Sequence, residues 1–145
     1  MAGKTLQFKI DFLKLLLLGT ALANVWDNAA SSPITNLQLS FHTADPGPGN
    51  DQTVNEIVYG TYARVAIART SGGWTIDPTT GIVTPAATIT FSTPTTGSGT
   101  VTHVGIGRDA SGTGYLFASG AITPNIIITV GVPPQLTVAS QWTES

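Results

Sequence analysis

Apolar and polar residues alternate with a period of two along most of this chain, the signature of short strands with one face turned to a core. The clearest case is residues 99–122. Val101, His103 and Gly105 alternate with Thr102, Val104 and Ile106. Arg108-Asp109-Ala110-Ser111-Gly112-Thr113-Gly114 then supplies turn residues, and Tyr115, Phe117 and Ser119 resume opposite Leu116, Ala118 and Gly120. This predicts a hairpin, which cannot hold itself together in water and needs further strands. Residues 34–42 supply one: Leu37, Leu39 and Phe41 face one way, Asn36, Gln38 and Ser40 the other, predicting a half-buried strand. Residues 56–70 supply another, with Tyr62, Arg64 and Ala66 opposite Ala63, Val65 and Ile67. Short strands are predicted at 74–76 and 81–84 around the turn Asp77-Pro78-Thr79-Thr80, then at 87–92, 125–130 and 135–142. Pro133-Pro134 separates the last two, since proline cannot donate to a ladder. Eight or nine short strands at this spacing predict a mainly β protein, a sandwich or a barrel; the reading adopted is an antiparallel β-sandwich of jelly-roll type with one N-terminal helix.

The first stretch breaks the alternation. In residues 4–26, Leu6, Ile10, Leu13 and Leu17 follow helical spacing, with Gln7, Asp11 and Lys14 on another face. Leu15, Leu16, Leu17 and Leu18 then make the segment apolar nearly all round. Three readings compete. A secretory leader would use Lys4, Lys9 and Lys14 ahead of an apolar core, with Ala21-Leu22-Ala23 as a small-x-small cleavage site. A membrane anchor would need about 20 apolar residues, and Lys14 interrupts a shorter run. The reading adopted is a helix packed on the β-core or into a neighbouring subunit. The whole chain is then expected to be one domain, 1–145, with the helix at 4–26 and the sandwich at 34–142.

Composition sharpens this picture. Only 10% of residues are charged while 41% are hydrophobic, which excludes a disordered chain and fits a protein whose surface lies against other proteins. A net charge of −2 provides no basic footprint, so nucleic acid is not an expected partner. The absence of cysteine removes disulfides, thiolate nucleophiles and cysteine metal sites.

Candidate chemistry is sparse. His42 with Ser40 and Asp45 allows a hydrolytic constellation to be imagined, but nothing in the spacing demands one; the expectation is that His42 and His103 close strand ends by hydrogen-bonding backbone. Asp45, Asn50, Asp51 and Glu56 are oxygen ligands in one loop without calcium-loop spacing. The glycine-rich segments lack the lysine and following helix of a phosphate cradle. Trp26, Trp74 and Trp142 are scattered, as core or interface anchors would be. The residues therefore predict neither catalysis nor a cofactor nor a metal, and point to a structural or binding protein.

Four segments carry a resemblance. LQLSFHTADPGPG (37–49), GTYARVAI (60–67), ATITFSTPTTGSGTVTHVGI (87–106) and YLFASGAIT (115–123) resemble a group of small virion proteins of tailed bacteriophages. Members of that group are described as capsid decoration (cement) proteins or as tail or tail-fibre components. The resemblance implies a virion structural protein with no catalytic residues, on the capsid exterior or the tail. Its implied partners are the major capsid protein or other virion proteins, and it implies a homo-oligomer. The leading expectation is a capsid decoration protein; the alternatives are a tail or tail-fibre adaptor and, from another class, a secreted β-sandwich carbohydrate-binding or hydrolytic module. This chain departs from the group in its more apolar helix and in the ending LTVASQWTES. Candidate interaction residues are accordingly Leu13, Leu15, Leu16, Leu17 and Leu18 on the helix, Pro46 and Pro48 in the loop, and Trp142 near the end. No membrane association is expected.

Overall fold

A computed structural model describes residues 6–21 and 33–143, with side chains from residue 9 onward. The chain is mainly β with antiparallel sheets and one described helix, as a β-sandwich-like fold requires. It divides into two compact units.

The first unit joins residues 1–35, 68–88 and 136–145. Its helix α1 is Leu6–Leu18, shorter than the predicted 4–26; the predicted continuation at 22–26, Trp26 included, lies outside the described residues. Gly19 ends the helix because its φ of 64° is open to glycine at little cost, and Thr20 N–H then donates back to the Lys14 carbonyl at 3.1 Å. A helix end still leaves carbonyls without intrahelical donors. Arg69 meets them. Its Nε donates to the Leu16 carbonyl at 2.5 Å and its Nη2 to that of Leu15 at 2.6 Å, while Nη1 reaches the Ile34 carbonyl at 3.3 Å. A cation at the negative end of a helix is favourable on dipole grounds as well. Burial lowers the Arg69 pKa from its ordinary value.

Ile10, Leu13, Leu15 and Leu17 are buried and no described helix side chain is exposed, so α1 is covered on more than one face, as its all-round apolar sequence demands. It packs on β3 (Trp74–Ile76), which pairs antiparallel with β4 (Val83–Pro85) in the register Trp74↔Pro85 to Ile76↔Val83. Their connection is closed by Asp77, whose carboxylate accepts the N–H groups of Thr79 (2.7 Å) and Thr80 (3.0 Å), which hold its pKa below the usual range. Trp142 lies in a bridge to Val83, with N–H···O bonds of 2.8 and 3.0 Å, rather than in a strand spanning 135–142. The Ser140 N–H to Thr137 carbonyl turn at 2.9 Å interrupts that strand.

The second unit joins residues 36–67 and 89–135. Its sheet has the order β2-β1-β6-β7, formed by β1 (Asn36–His42), β2 (Val65–Ala68), β6 (Gly99–Gly107) and β7 (Leu116–Ile128). The hairpin predicted at 99–122 is β6 and β7, but β7 runs on to Ile128 and absorbs most of the separate strand expected at 125–130. A register shift accommodates this: two steps along β6, Val101 to His103, face five along β7, Ile126 to Ala121. Pro124 falls inside that bulge, on an edge strand, where proline is tolerated. The strand expected over 56–70 is reduced to β2, because residues 59–62 turn, with Tyr62 N–H on the Tyr59 carbonyl at 3.0 Å.

A short second pair, β5 (Ile89–Thr90) with β8 (Gln135–Leu136), supplies the other layer. Phe91 N–H donates to the Pro134 carbonyl at 2.9 Å, and the Phe91 ring stacks on Phe41 of β1 with centroids 3.7 Å apart. Leu37, Leu39, Phe41, Phe91 and Val101 are all buried here.

The capping role of Arg69 is directly testable. Arg69→Met keeps an apolar stem but strips three carbonyls of their charged donor, and should cost more than about 2 kcal/mol in urea unfolding. Arg69→Lys should recover little of it, because an ammonium cannot span two carbonyls as the planar fork does.

Candidate functional site

β1 is buried on both faces, not one. Leu37, Leu39 and Phe41 meet the apolar core as predicted, but Ser40 and His42, on the face expected to meet solvent, are 0% exposed. The covering element is the chain that leaves β1, residues 43–56, which folds back so that His42 bridges Glu56. Its start is the HTADPG turn. Asp45 Oδ1 accepts the Gly47 N–H at 2.8 Å, Gly47 sits at φ 76°, and Asn55 Nδ2 ties back to the Asp45 carbonyl at 2.8 Å. Asp51 caps Thr53 through both its N–H and its hydroxyl, and these bonds hold the Asp51 carboxyl below its ordinary pKa.

The returning loop seats against the β6–β7 turn. Gln52 N–H donates to the Thr113 carbonyl at 2.7 Å and Leu116 N–H to the Asn50 carbonyl at 2.7 Å. The Gln52 side chain is fully buried, with Oε1 accepting the Asp109 N–H at 3.1 Å. It has room only because two positions lack side chains: a Cβ on Gly107 would stand 2.2 Å from Gln52 Cδ, and one on Gly114 2.4 Å from Oε1.

Arg64 joins loop and turn. It forms a bidentate pair with Glu56, Nε to Oε1 and Nη2 to Oε2 both at 2.7 Å, and also donates to the Asp109 and Gly112 carbonyls at 2.8 Å each. Its pKa is raised, first by the hydrogen bonds to Glu56. Tyr62 completes the set, its hydroxyl donating to Glu56 Oε1 at 3.0 Å and accepting the Phe41 N–H at 3.0 Å. Burial is the main cause that pushes the Tyr62 phenol well above its usual range.

The imagined hydrolytic group is thus half assembled. Ser40 Oγ lies 2.8 Å from His42 Nε2, but Nδ1 faces the Val54 carbonyl at 2.9 Å and not Asp45, which is exposed. A carbonyl can only accept, so Nδ1 carries the proton, Nε2 accepts, and the serine hydroxyl donates. His42 therefore bonds backbone as expected, whereas His103 pairs with the Thr102 hydroxyl at 2.8 Å. Among the described residues no group of three His, Asp or Glu side chains is placed to hold a metal, and no helix is long and apolar enough to cross a membrane.

Of the candidate interaction residues, only Pro48 is exposed. Leu13, Leu15, Leu17 and Pro46 are buried, and Leu16, Leu18 and Trp142 are half-buried. Exposed apolar side chains occur elsewhere: Val58, Tyr115, Phe117, Ile127, Val130 and Val132 among them. The sequence reading weighed Glu56 only as a loop oxygen ligand and gave no functional role to Arg64, Gln52 or Arg69. The available signal was the scarcity of such side chains, in a chain holding only six Lys and Arg.

A family model for the podophage GP4 fiber I protein gp80 matches residues 17–140. The chain belongs to this family. It is a tailed-phage virion protein, a structural protein of fibre or tail type. The matched span takes in the whole second unit, including the HTADPG turn and the Arg64 pair, and starts near the end of α1. No curated protein matches the chain.

Two outcomes follow from this packing. Burial lowers the His42 pKa below its ordinary 6.5, outweighing the raising effects of the Val54 bond and Glu56; Arg64 and His103 add to the lowering. The unfolded chain then binds the proton that the folded one refuses. Stability should hold above about pH 6.5 and fall as pH drops from there through the folded pKa, and His42→Gln should flatten that slope in pH-dependent urea titrations. Gly107→Ala should destabilise by about 1–3 kcal/mol through overpacking against Gln52. In the Gln52→Ala background the same change should cost much less, as a double-mutant cycle would read.

Proposed function

We propose that the protein is a structural subunit of the phage tail-fibre apparatus that works by surface contact with other virion proteins and performs no chemistry. The observation that carries this reading is the family match across the second unit. It favours the tail-fibre alternative over capsid decoration, for which nothing beyond the resemblance speaks. The non-enzymatic part is supported by the Ser40–His42 pair. Both side chains are 0% exposed and the hydroxyl is engaged with the imidazole, so a substrate has no path to either. A seated loop and a nearly uncharged surface suit a part that must keep its shape inside an assembly.

Immunogold labelling of intact particles with antibody to the full chain tests the placement. Gold should concentrate at the tail and its fibres; gold spread over the capsid shell would restore the decoration reading. Incubation of the purified chain with aryl esters and aryl glycosides should release no product above background. Turnover that disappears in Ser40→Ala would overturn the non-enzymatic part.

A further inference from the structure

We propose that residues 43–55 form an acid-released strap, seated over β1 while His42 is neutral and lifted from it when His42 is charged. The strap is a compact surface loop whose two ends are held together. Thr43 N–H donates to the Asn55 carbonyl at 2.8 Å, and the next residue, Glu56, is fixed by Arg64. Between those ends the anchorage is by hydrogen bonds and hardly by apolar burial. Pro46 and Gln52 are the strap's only buried residues. Gln52 N–H and the Asn50 carbonyl tie it to Thr113 and Leu116, each at 2.7 Å, and Gln52 Oε1 accepts the Asp109 N–H. Gln52 Nε2 is buried with no hydrogen-bond partner among the described residues, and a buried donor left unpaired works against seating. The apolar residues Leu37, Leu39 and Phe41 lie on the other face of β1, so lifting the strap leaves that core in place. A segment with so little apolar anchorage opens at a lower free energy than the sheet beneath it.

His42 lies under the strap with both ring nitrogens committed. Nδ1 donates to the strap's Val54 carbonyl at 2.9 Å, and Nε2 accepts the Ser40 hydroxyl at 2.8 Å. Charging the ring puts a hydrogen on Nε2, where it meets the hydrogen of the hydroxyl. Turning the hydroxyl round removes that clash but leaves a buried charge, and the surrounding groups do not neutralise it. Glu56, bridged to His42, favours the charge, but both its oxygens are engaged by Arg64 and one also by Tyr62. Arg64 itself opposes the charge, as does His103 at the paired position on β6. Asp45 and Asp51 accept N–H groups of the strap's own turns, and Asp109 accepts from Arg108. Burial accordingly holds the imidazole below its ordinary range. Lifting the strap gives the charged ring the one thing the seated form withholds, which is water. The device goes beyond the fibre reading and does not rest on it, since it belongs to the folded chain alone.

Amide hydrogen exchange of the full chain, resolved by NMR between about pH 8 and about pH 5 and corrected for intrinsic exchange, tests the strap. The probes are the Gln52 and Leu116 amides, whose bonds join strap to turn, with the β1 and β6 amides as reference. At every pH the two probes should be less protected than the reference. Below the ordinary histidine value of 6.5 their protection should fall by about tenfold per pH unit, the response of an opening that takes up one proton. His42→Gln should abolish the fall, and His103→Gln should keep it. The proposal is overturned if the probes are as protected as the reference, so that only whole-chain unfolding frees the strap. It is overturned equally by a pH-independent protection, by a full fall in His42→Gln, or by loss of the fall in His103→Gln. Should His42→Gln fail to fold, His103→Gln decides alone, because His42 is then the chain's one remaining imidazole.

Discussion

The second unit depends on one ion pair. Arg64 and Glu56 lie at 3% and 13% side-chain exposure, and the arginine holds the carboxylate on one side and two turn carbonyls on the other. Desolvating two charges is expensive, and the attraction between them offsets that only when the geometry is good and the remaining donors are satisfied. Both conditions hold. The pair is bidentate, both Nη atoms have carbonyl partners, and Tyr62 adds a bond to the carboxylate. What the pair contributes is placement more than net stability. It fixes the loop leaving β1 relative to the turn between β6 and β7, segments that are distant in sequence, and a lysine in its place could reach only part of this set.

That placement explains why a serine and a histidine come within hydrogen-bond distance without forming a catalytic centre. Residues two apart on one strand share a face, so Ser40 and His42 are neighbours by geometry alone. Once the loop covers the face, each must find a partner or leave a buried polar group unsatisfied. The Val54 carbonyl takes one imidazole nitrogen and the serine hydroxyl the other. Gly105, the partner of Ser40 on β6, leaves the space: a Cβ there would lie 2.6 Å from Ser40 Oγ and 2.7 Å from His42 Nε2. The arrangement is a solution to burial.

Period-two alternation made β1, β6 and the start of β7 legible, and helical spacing made α1 legible, because their apolar residues recur at the period of the element that buries them. The Asp77 turn was legible for a similar reason, since its chemistry is contained within four residues. The burial of Ser40 and His42 was not legible, because it depends on where a loop of low periodicity returns. The shortening of 56–70 to β2 and the merging of most of 125–130 into β7 were also hidden: the first turns on the chain reversal at 59–62, the second on a bulge that absorbs Pro124. The leucines of α1 were recognised as needing cover, yet sequence alone could not distinguish cover within the chain from cover by a neighbour.

The distribution of charge links these observations to a role in a particle. Two of the three arginines are spent inside, Arg64 on Glu56 and turn carbonyls, Arg69 on the carbonyls that end α1. The third, Arg108, is half exposed, lies against Asp109 at 2.9 Å and sits 5.9 Å above the Tyr115 ring, an arrangement that contributes little to stability at the surface. A free-standing protein keeps itself apart from its neighbours by surface charge. This chain uses its scarce arginines to hold a loop and a helix end, and leaves β7 and the segment after it without any. Such a distribution is tolerable only where the exposed strands and valines have neighbours of their own kind of surface, which is the condition a subunit meets inside an assembled virion.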